Sequence, residues 1–165
     1  MRNPLISVII PAFNEENNLG FVLNGVHGVF KDLGFSYEII VVNDGSFDKT
    51  AEIAKEYNVV LINHNGNFGK GNAIKNGIIR SRGEFIVTMD ADGSHRPKDL
   101  PTLIHSILKD DVDTVIGSRF SDEMGKNSTT RLHLIGNKII NMVILLLTGN
   151  YVSDSQSGFR AYKRD

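Results

Sequence analysis

Cysteine is absent from all 165 residues. That excludes a disulfide scaffold, a thiolate zinc site and a cysteine nucleophile, and it is compatible with the cytosol. An excess of charge of one sign is missing as well: 18 Lys plus Arg face 19 Asp plus Glu, for a net charge of -1. No general attraction to nucleic acid or acidic lipid follows from that balance, so an anionic ligand must meet a local basic site. Long apolar runs are scarce. Met1-Arg2-Asn3-Pro4 followed by Leu5 to Ile10 has the charged start of a secretory signal, but Pro11 interrupts it and Asn14-Glu15-Glu16 stands where small residues would be cleaved. A buried strand is the better reading. The other run, Ile139 to Leu147, is less than half of the ~20 residues that a membrane-spanning helix needs. Internal repeats and low-complexity tracts are also lacking.

What is present has ordinary globular proportions, with 41% hydrophobic and 22% charged residues, enough for one domain with a packed core. Short β-branched runs recur at Leu5 to Ile10, Glu38 to Val42, Val59 to Ile62, Glu84 to Met89 and Thr114 to Gly117. Between them lie stretches with apolar residues at three-to-four spacing: Glu15 to Leu33, Asp48 to Tyr57, Lys70 to Arg82 and Pro97 to Lys109. Strands alternating with helices predict βαβ crossovers, hence an α/β fold with a mostly parallel sheet. Ser46 or Asp48 can cap the second helix, and Pro97 suits the first turn of the fourth. A polar loop is expected from Ser121 to Thr130 and a helix from about Arg131 to Leu147.

In open parallel sheets, ligands bind beyond the carboxyl ends of the strands. There the sequence places Pro11-Ala12-Phe13-Asn14-Glu15, Asn43-Asp44-Gly45-Ser46, the Gly-rich stretch from Asn63 to Gly71, and Asp90-Ala91-Asp92-Gly93. Polar loops are common, but carboxylates gathered at one rim need a shared cation or ligand. Asp90 and Asp92, separated by one small residue after an apolar strand, can hold Mg²⁺ or Mn²⁺ through oxygen while leaving room for phosphate oxygens; capping of the next helix is the plainer alternative. Asp44 precedes Gly45 and is poorly placed as a helix cap, whereas a carboxylate there can accept hydrogen bonds from a nucleobase. Gly66-Asn67-Phe68-Gly69-Lys70-Gly71 fails as a Walker loop, because His64 stands where a Gly is needed and Gly71 where Ser or Thr is needed. It remains a turn that opens a helix, with Lys70 near the helix N-terminus where an anion can sit.

Six segments in order resemble the family-2 inverting glycosyltransferases of the GT-A fold, and among them the polyprenyl-phosphate hexose synthases of the dolichol-phosphate mannosyltransferase type. The segments are Val8 to Glu16, Val42 to Thr50, Asn67 to Gly71, Met89 to Gly93, Gly117 to Phe120 and Asp154 to Arg160. This resemblance implies a central, mostly parallel sheet with helices on both faces. It implies that Pro11, Ala12, Asn14 and Glu15 hold base and ribose, that Asp44 meets the base, and that Asp90, Ala91 and Asp92 bind the nucleotide diphosphate with Mg²⁺ or Mn²⁺ on Asp90 and Asp92. Arg119 and Arg131 match residues that meet an acceptor phosphate, and Asp154 and Arg160 match the motif after the acceptor helix. Asn43 replaces a frequent Asp, Ser94 a frequent metal-contacting Gln, and Ile135 a frequent hydroxyl residue. The chain also stops before the family's usual terminal strand or membrane-associated helices, so the expectation is a single catalytic domain over residues 1–165, trimmed at its C-terminus.

The reaction implied is transfer of a hexose from a nucleotide diphosphate sugar, GDP-mannose or UDP-glucose, to a polyprenyl phosphate, at the cytoplasmic face of a membrane. A phosphate acceptor is already ionised near neutrality, its second pKa being ~6, and needs orientation by Arg119 and Arg131, not a general base. A sugar-hydroxyl acceptor would need a carboxylate base, with Asp154 the first choice. The apolar face of Ile139 to Leu147 reads either as core or as the entry for a prenyl chain. A phosphotransferase with an Asp-x-Asp nucleophile is disfavoured, since that pair follows the first strand and here it follows the fourth, with three strands before that one. A non-catalytic nucleotide-sugar module stays open.

Overall fold

The alternating pattern builds the elements it predicts. The computed structural model describes residues 3–109, 111–118, 142, 149, 154 and 157–164. Strand β1 (Ile6–Ala12) leads to α1 (Leu19–Leu33), β2 (Tyr37–Asn43), α2 (Thr50–Lys55), β3 (Val60–Asn63), α3 (Lys70–Arg80) and β4 (Phe85–Thr88). A 3₁₀ turn at Pro97–Asp99 opens α4 (Leu100–Lys109), followed by β5 (Thr114–Ile116) and β6 (Arg160–Lys163). The predicted helix 131–147, the loop 121–130, Arg119, Arg131 and Ile135 lie outside the described residues.

The sheet order is β3-β2-β1-β4-β6-β5. Strands β1 to β4 pair in parallel, while β6 runs antiparallel between β4 and β5. Strand β6 is not anticipated by the sequence reading: Arg160-Ala161-Tyr162-Lys163 has only Ala161 fully buried, and its pairing with Phe85 to Thr88 is a long-range event. Helices cover both faces. Ile6, Val8, Ile10 and Ala12 of β1 pack with Leu19, Val22, Leu23, Val26 and Phe30 of α1 and with Leu100, Leu103, Ile104 and Ile107 of α4. On the opposite face, Ile9 packs with Ile40, Val42, Ile86 and Ala73 of α3. Helix α3 buries only Ala73 and Gly77, and a Cβ on Gly77 would meet a methyl of Ile9 at 2.4 Å. These two small residues, four apart, let a polar helix lie close on the sheet.

Helix α1 begins at Leu19, not Glu15. The intervening turn is claimed by another loop: the amides of Asn14, Glu15 and Glu16 donate to Ser46 Oγ (2.9 Å), Thr50 Oγ1 (2.8 Å) and Asp48 Oδ2 (3.0 Å). In return the amides of Phe47 and Lys49 donate to Asn14 Oδ1 and Glu16 Oε2, each at 3.1 Å. Asn14 takes a left-handed conformation, φ 55°, within this clasp. Neither expected cap of α2 is realised: the N-cap position falls to Lys49 without a side-chain cap bond, Asp48 accepts the Thr50 amide at 2.9 Å from one residue earlier, and Ser46 is spent on Asn14.

Candidate active site at the carboxyl edge of the sheet

The chain leaves β1 toward β2 and β3 on one side, then returns to place β4 on the other. That reversal opens a crevice between the carboxyl ends of β1 and β4, where open α/β sheets bind ligands. A cleft of about 390 Å³ lies there, and every predicted donor-site residue except Asn14 and Arg160 lines it: Pro11, Ala12, Glu15, Asp44, Lys70, Asp90, Ala91 and Asp92. Phe13, Asn67, Gly69 and Ala73 line it as well. Phe13 is 39% exposed and meets Phe47 edge-on at 5.9 Å. Phe13 stands within the Pro11 to Glu15 motif, where the sequence alone assigns it no role.

Asp44 is buried at the end of β2. Its Oδ1 accepts from His64 Nδ1 (2.6 Å) and the Phe68 amide (3.0 Å), and its Oδ2 accepts the Gly69 amide (2.7 Å). Burial pushes this carboxyl up, but the bonds from the Phe68 amide, His64 and the Gly69 amide outweigh it and hold the group below the usual carboxylate value. A carboxylate offers about four acceptor positions, so three are occupied and one on Oδ2 is left for a ligand. Asn76 Nδ2 lies 2.8 Å from His64 Nε2. With that amide donating, His64 carries its proton on Nδ1 and donates it to Asp44. Asp44 thereby shapes the Gly-rich turn as well as facing the cleft. Gly69 has φ 87°, and a Cβ on Gly45 (φ 77°) would meet the backbone of Gly66 at 2.4 Å, so both glycines are required by geometry.

Opposite Asp44 the Lys70 ammonium bridges the Asp90 carboxylate, 2.6 Å from Oδ1 and 2.7 Å from Oδ2. Asp92 is exposed and its Oδ1 accepts the Ser94 amide at 2.8 Å. Among the described residues no group of three or more His, Asp or Glu could hold a metal ion. Two observations nevertheless fit a cation between protein and ligand. The Lys70 ammonium already sits as a positive charge on both oxygens of Asp90. Gly158 leaves room for that carboxylate beside β4, since a Cβ there would lie 2.3–2.6 Å from its atoms. Two carboxylates completed by phosphate oxygens and water suit Mg²⁺ or Mn²⁺.

Of the remaining predicted residues, Asn14, Asp154 and Arg160 do not line the cleft, and Arg119 and Arg131 lie outside the described residues. Asn14 belongs to the loop clasp and Arg160 Nε donates to Ser157 O at 2.8 Å. Asp154 is fully buried, and its carbonyl accepts the Ser157 amide. Sequence reasoning missed Gly158, His64 and the buried pair of His95 with Ser157 (3.3 Å), where His95 stacks on Phe159 at 5.0 Å. Gly158 stands inside a quoted motif, but its need for a missing side chain is visible only from Asp90.

A dolichyl-phosphate β-glucosyltransferase of Dictyostelium discoideum is 36% identical, covering 99% of this chain and 57% of that protein. A UDP-N-acetylglucosamine–dolichyl-phosphate N-acetylglucosaminyltransferase of Methanococcus voltae is 34% identical over 99% of this chain and 71% of its own. An uncharacterized Methanocaldococcus jannaschii protein is 40% identical, and the chain spans 64% of its length. In fold, the chain matches mannosyl-3-phosphoglycerate synthase from Rubrobacter xylanophilus with a TM-score of 0.79 at 20% identity, covering 97% of this chain and 54% of that one. It matches glucosyl-3-phosphoglycerate synthase from Mycobacterium tuberculosis, in complex with Mn²⁺, uridine diphosphate and phosphoglyceric acid, with a TM-score of 0.75 at 20% identity over 97% and 56%. The GT-A architecture is thus shared with these enzymes, and with residues 7–165 matching its model the chain belongs to Glycosyl transferase family 2.

Proposed function

We propose that this chain carries out inverting transfer of a hexose from a nucleotide diphosphate sugar to a polyprenyl phosphate, with GDP-mannose and UDP-glucose as the donors to test. One observation carries the donor side: a single cleft at the β1/β4 switch has Asp44 facing it at one end and the Lys70–Asp90 pair with Asp92 at the other. A nucleoside fits the first end and a diphosphate the second. When bound by Asp90 and Asp92, Mg²⁺ or Mn²⁺ supplies charge neutralisation for the leaving diphosphate. The protein's own part is to orient. Pro11, Ala12 and Glu15 form the wall on which base and ribose lie, and the N-terminal end of α3 faces the phosphates.

The acceptor reading is supported by relatives named for transfer to dolichyl phosphate that align with nearly the whole chain. Transfer to a sugar hydroxyl would draw on Asp154 as base, but Asp154 is buried and is not among the residues that line the cleft. No helix among the described residues is long and apolar enough to cross a membrane. The proposed place of the lipid contact is the cytoplasmic face of a membrane, with the apolar segment 139–147 as the candidate contact.

Transfer to polyprenyl phosphate is measured on this chain and on a C-terminally extended form. Arg131→Ala is expected to lower acceptor-dependent rate by the equivalent of about 2–3 kcal/mol while nucleotide affinity holds. The lipid-phosphate reading fails if a soluble sugar is the better acceptor and Asp154→Asn alone stops the reaction.

A further inference from the structure

Lys70 is the first residue of α3, and its backbone is held by its neighbours: the Gly69 amide is bonded to Asp44, and Gly69 O accepts the amides of Asn72 and Ala73. Its side chain is not held in that way. The stem is half exposed and its ammonium reaches across the cleft to both oxygens of Asp90, whose own side chain is 19% exposed. An exposed lysine–carboxylate pair is weak and easily exchanged. The same ammonium covers both oxygens that a divalent cation would need on Asp90, and the two positive centres repel each other, so they compete for that carboxylate.

We propose that Lys70 is a tethered counter-cation of the donor site, holding Asp90 in the absence of ligand and moving to the diphosphate when a nucleotide enters. This rests on the reading of Asp90 and Asp92 as the metal-holding pair. Lys70 and Asp92 line the same cleft, so a diphosphate that meets Asp92 through a cation lies within reach of the released ammonium. Two consequences follow. Without nucleotide, Lys70 competes with metal for Asp90 and keeps free divalent cations from accumulating on the site. With nucleotide, the diphosphate takes Lys70 and frees Asp90, which makes metal and nucleotide binding mutually reinforcing.

The test titrates Mn²⁺ alone into nucleotide-free protein, followed by calorimetry and by the loss of the free-ion electron paramagnetic resonance signal. Lys70→Met is expected to bind Mn²⁺ several-fold more tightly than the parent and, without metal, to bind uridine or guanosine diphosphate several-fold more weakly. Lys70→Gln should behave alike, and circular dichroism checks that both variants fold. An unchanged or lower Mn²⁺ affinity in both variants overturns the exchange, and so does undetectable binding in variants and parent alike. Repeating the titration with nucleotide and with Asp92→Ala separates the two readings. Mn²⁺ binding that requires nucleotide and Asp92 but ignores Lys70 overturns the exchange alone. Absence of Mn²⁺ binding under every condition removes the metal reading with it.

Discussion

Gly158 shows how much a single missing side chain can control. Its carbonyl accepts the Thr88 hydroxyl at 2.9 Å, which pins the turn to the end of β4, and its α-carbon faces the Asp90 carboxylate. A methyl at that position would have to displace the carboxylate, because the backbone on the other side is tied. Gly158→Ala is therefore expected to reduce metal-dependent nucleotide diphosphate affinity by on the order of 10–100-fold, the usual size of an effect on a ligand's supporting neighbour. Calorimetry with and without Mn²⁺ measures it. Equal affinity in the variant would show that Asp90 is free to move without consequence. Asp44 acts in the opposite sense, since its charge is held by three bonds from the protein and its fourth acceptor position is the part a ligand can use.

Between elements, the clasp joins the loop after β1 to the loop after β2, at the side of the cleft proposed for the nucleoside. Burial raises the Asp48 carboxyl, but the hydroxyl and amide of Thr50 and the amide of Glu16 bind its ionised form and hold it below its ordinary value. Asp44 is shifted the same way. In both cases the folded value is below the unfolded one, about 3.9, so the unfolded chain binds more protons as the pH falls. Their stabilising contribution is complete above that value and is lost as pH drops through the folded values. Urea midpoints should decline modestly from pH 7 to 5, because burial holds the His27 imidazole below its ordinary value, and fall further toward pH 3 as Asp44 and Asp48 are protonated; Asp48→Asn should make only the second fall shallower. A variant with an unaltered acid slope would place the titration elsewhere.

On the scale of the whole molecule, the candidate site residues are gathered on one edge of the sheet. The opposite edge is occupied by structural pairs: Glu38 accepts from Ser7, the Arg82 amide and the Arg82 guanidinium, and Arg164 caps the end of α3 through the carbonyls of Ile78, Ser81 and Gly83. Hydrogen exchange with uridine or guanosine diphosphate and Mn²⁺ should accordingly slow amides in 12–16, 43–48, 66–71 and 90–93. Amides near Ser36 and from Arg82 to Glu84 should be unaffected. Protection centred on that second set would put the ligand at the wrong end of the sheet.

The βαβ order, the parallel strands and the carboxyl-edge motifs were legible in the chain, because hydrophobic periodicity and strand-to-loop succession are local properties. Asp44, Lys70, Asp90 and Asp92 could be selected on that basis, and Pro11, Ala12, Glu15 and Ala91 through the family resemblance; the cleft brings all eight together. What only the tertiary structure decided depends on contacts between distant segments. Strand β6 takes its place by pairing with β4, where Thr88 lies opposite Arg160 and Phe85 opposite Lys163. The start of α1 yields to side chains of the next loop, Lys70 finds Asp90 across the cleft, and Gly158 is needed for the space it leaves. Periodicity carries no record of such meetings, since each is set by where the sheet order puts the strand ends.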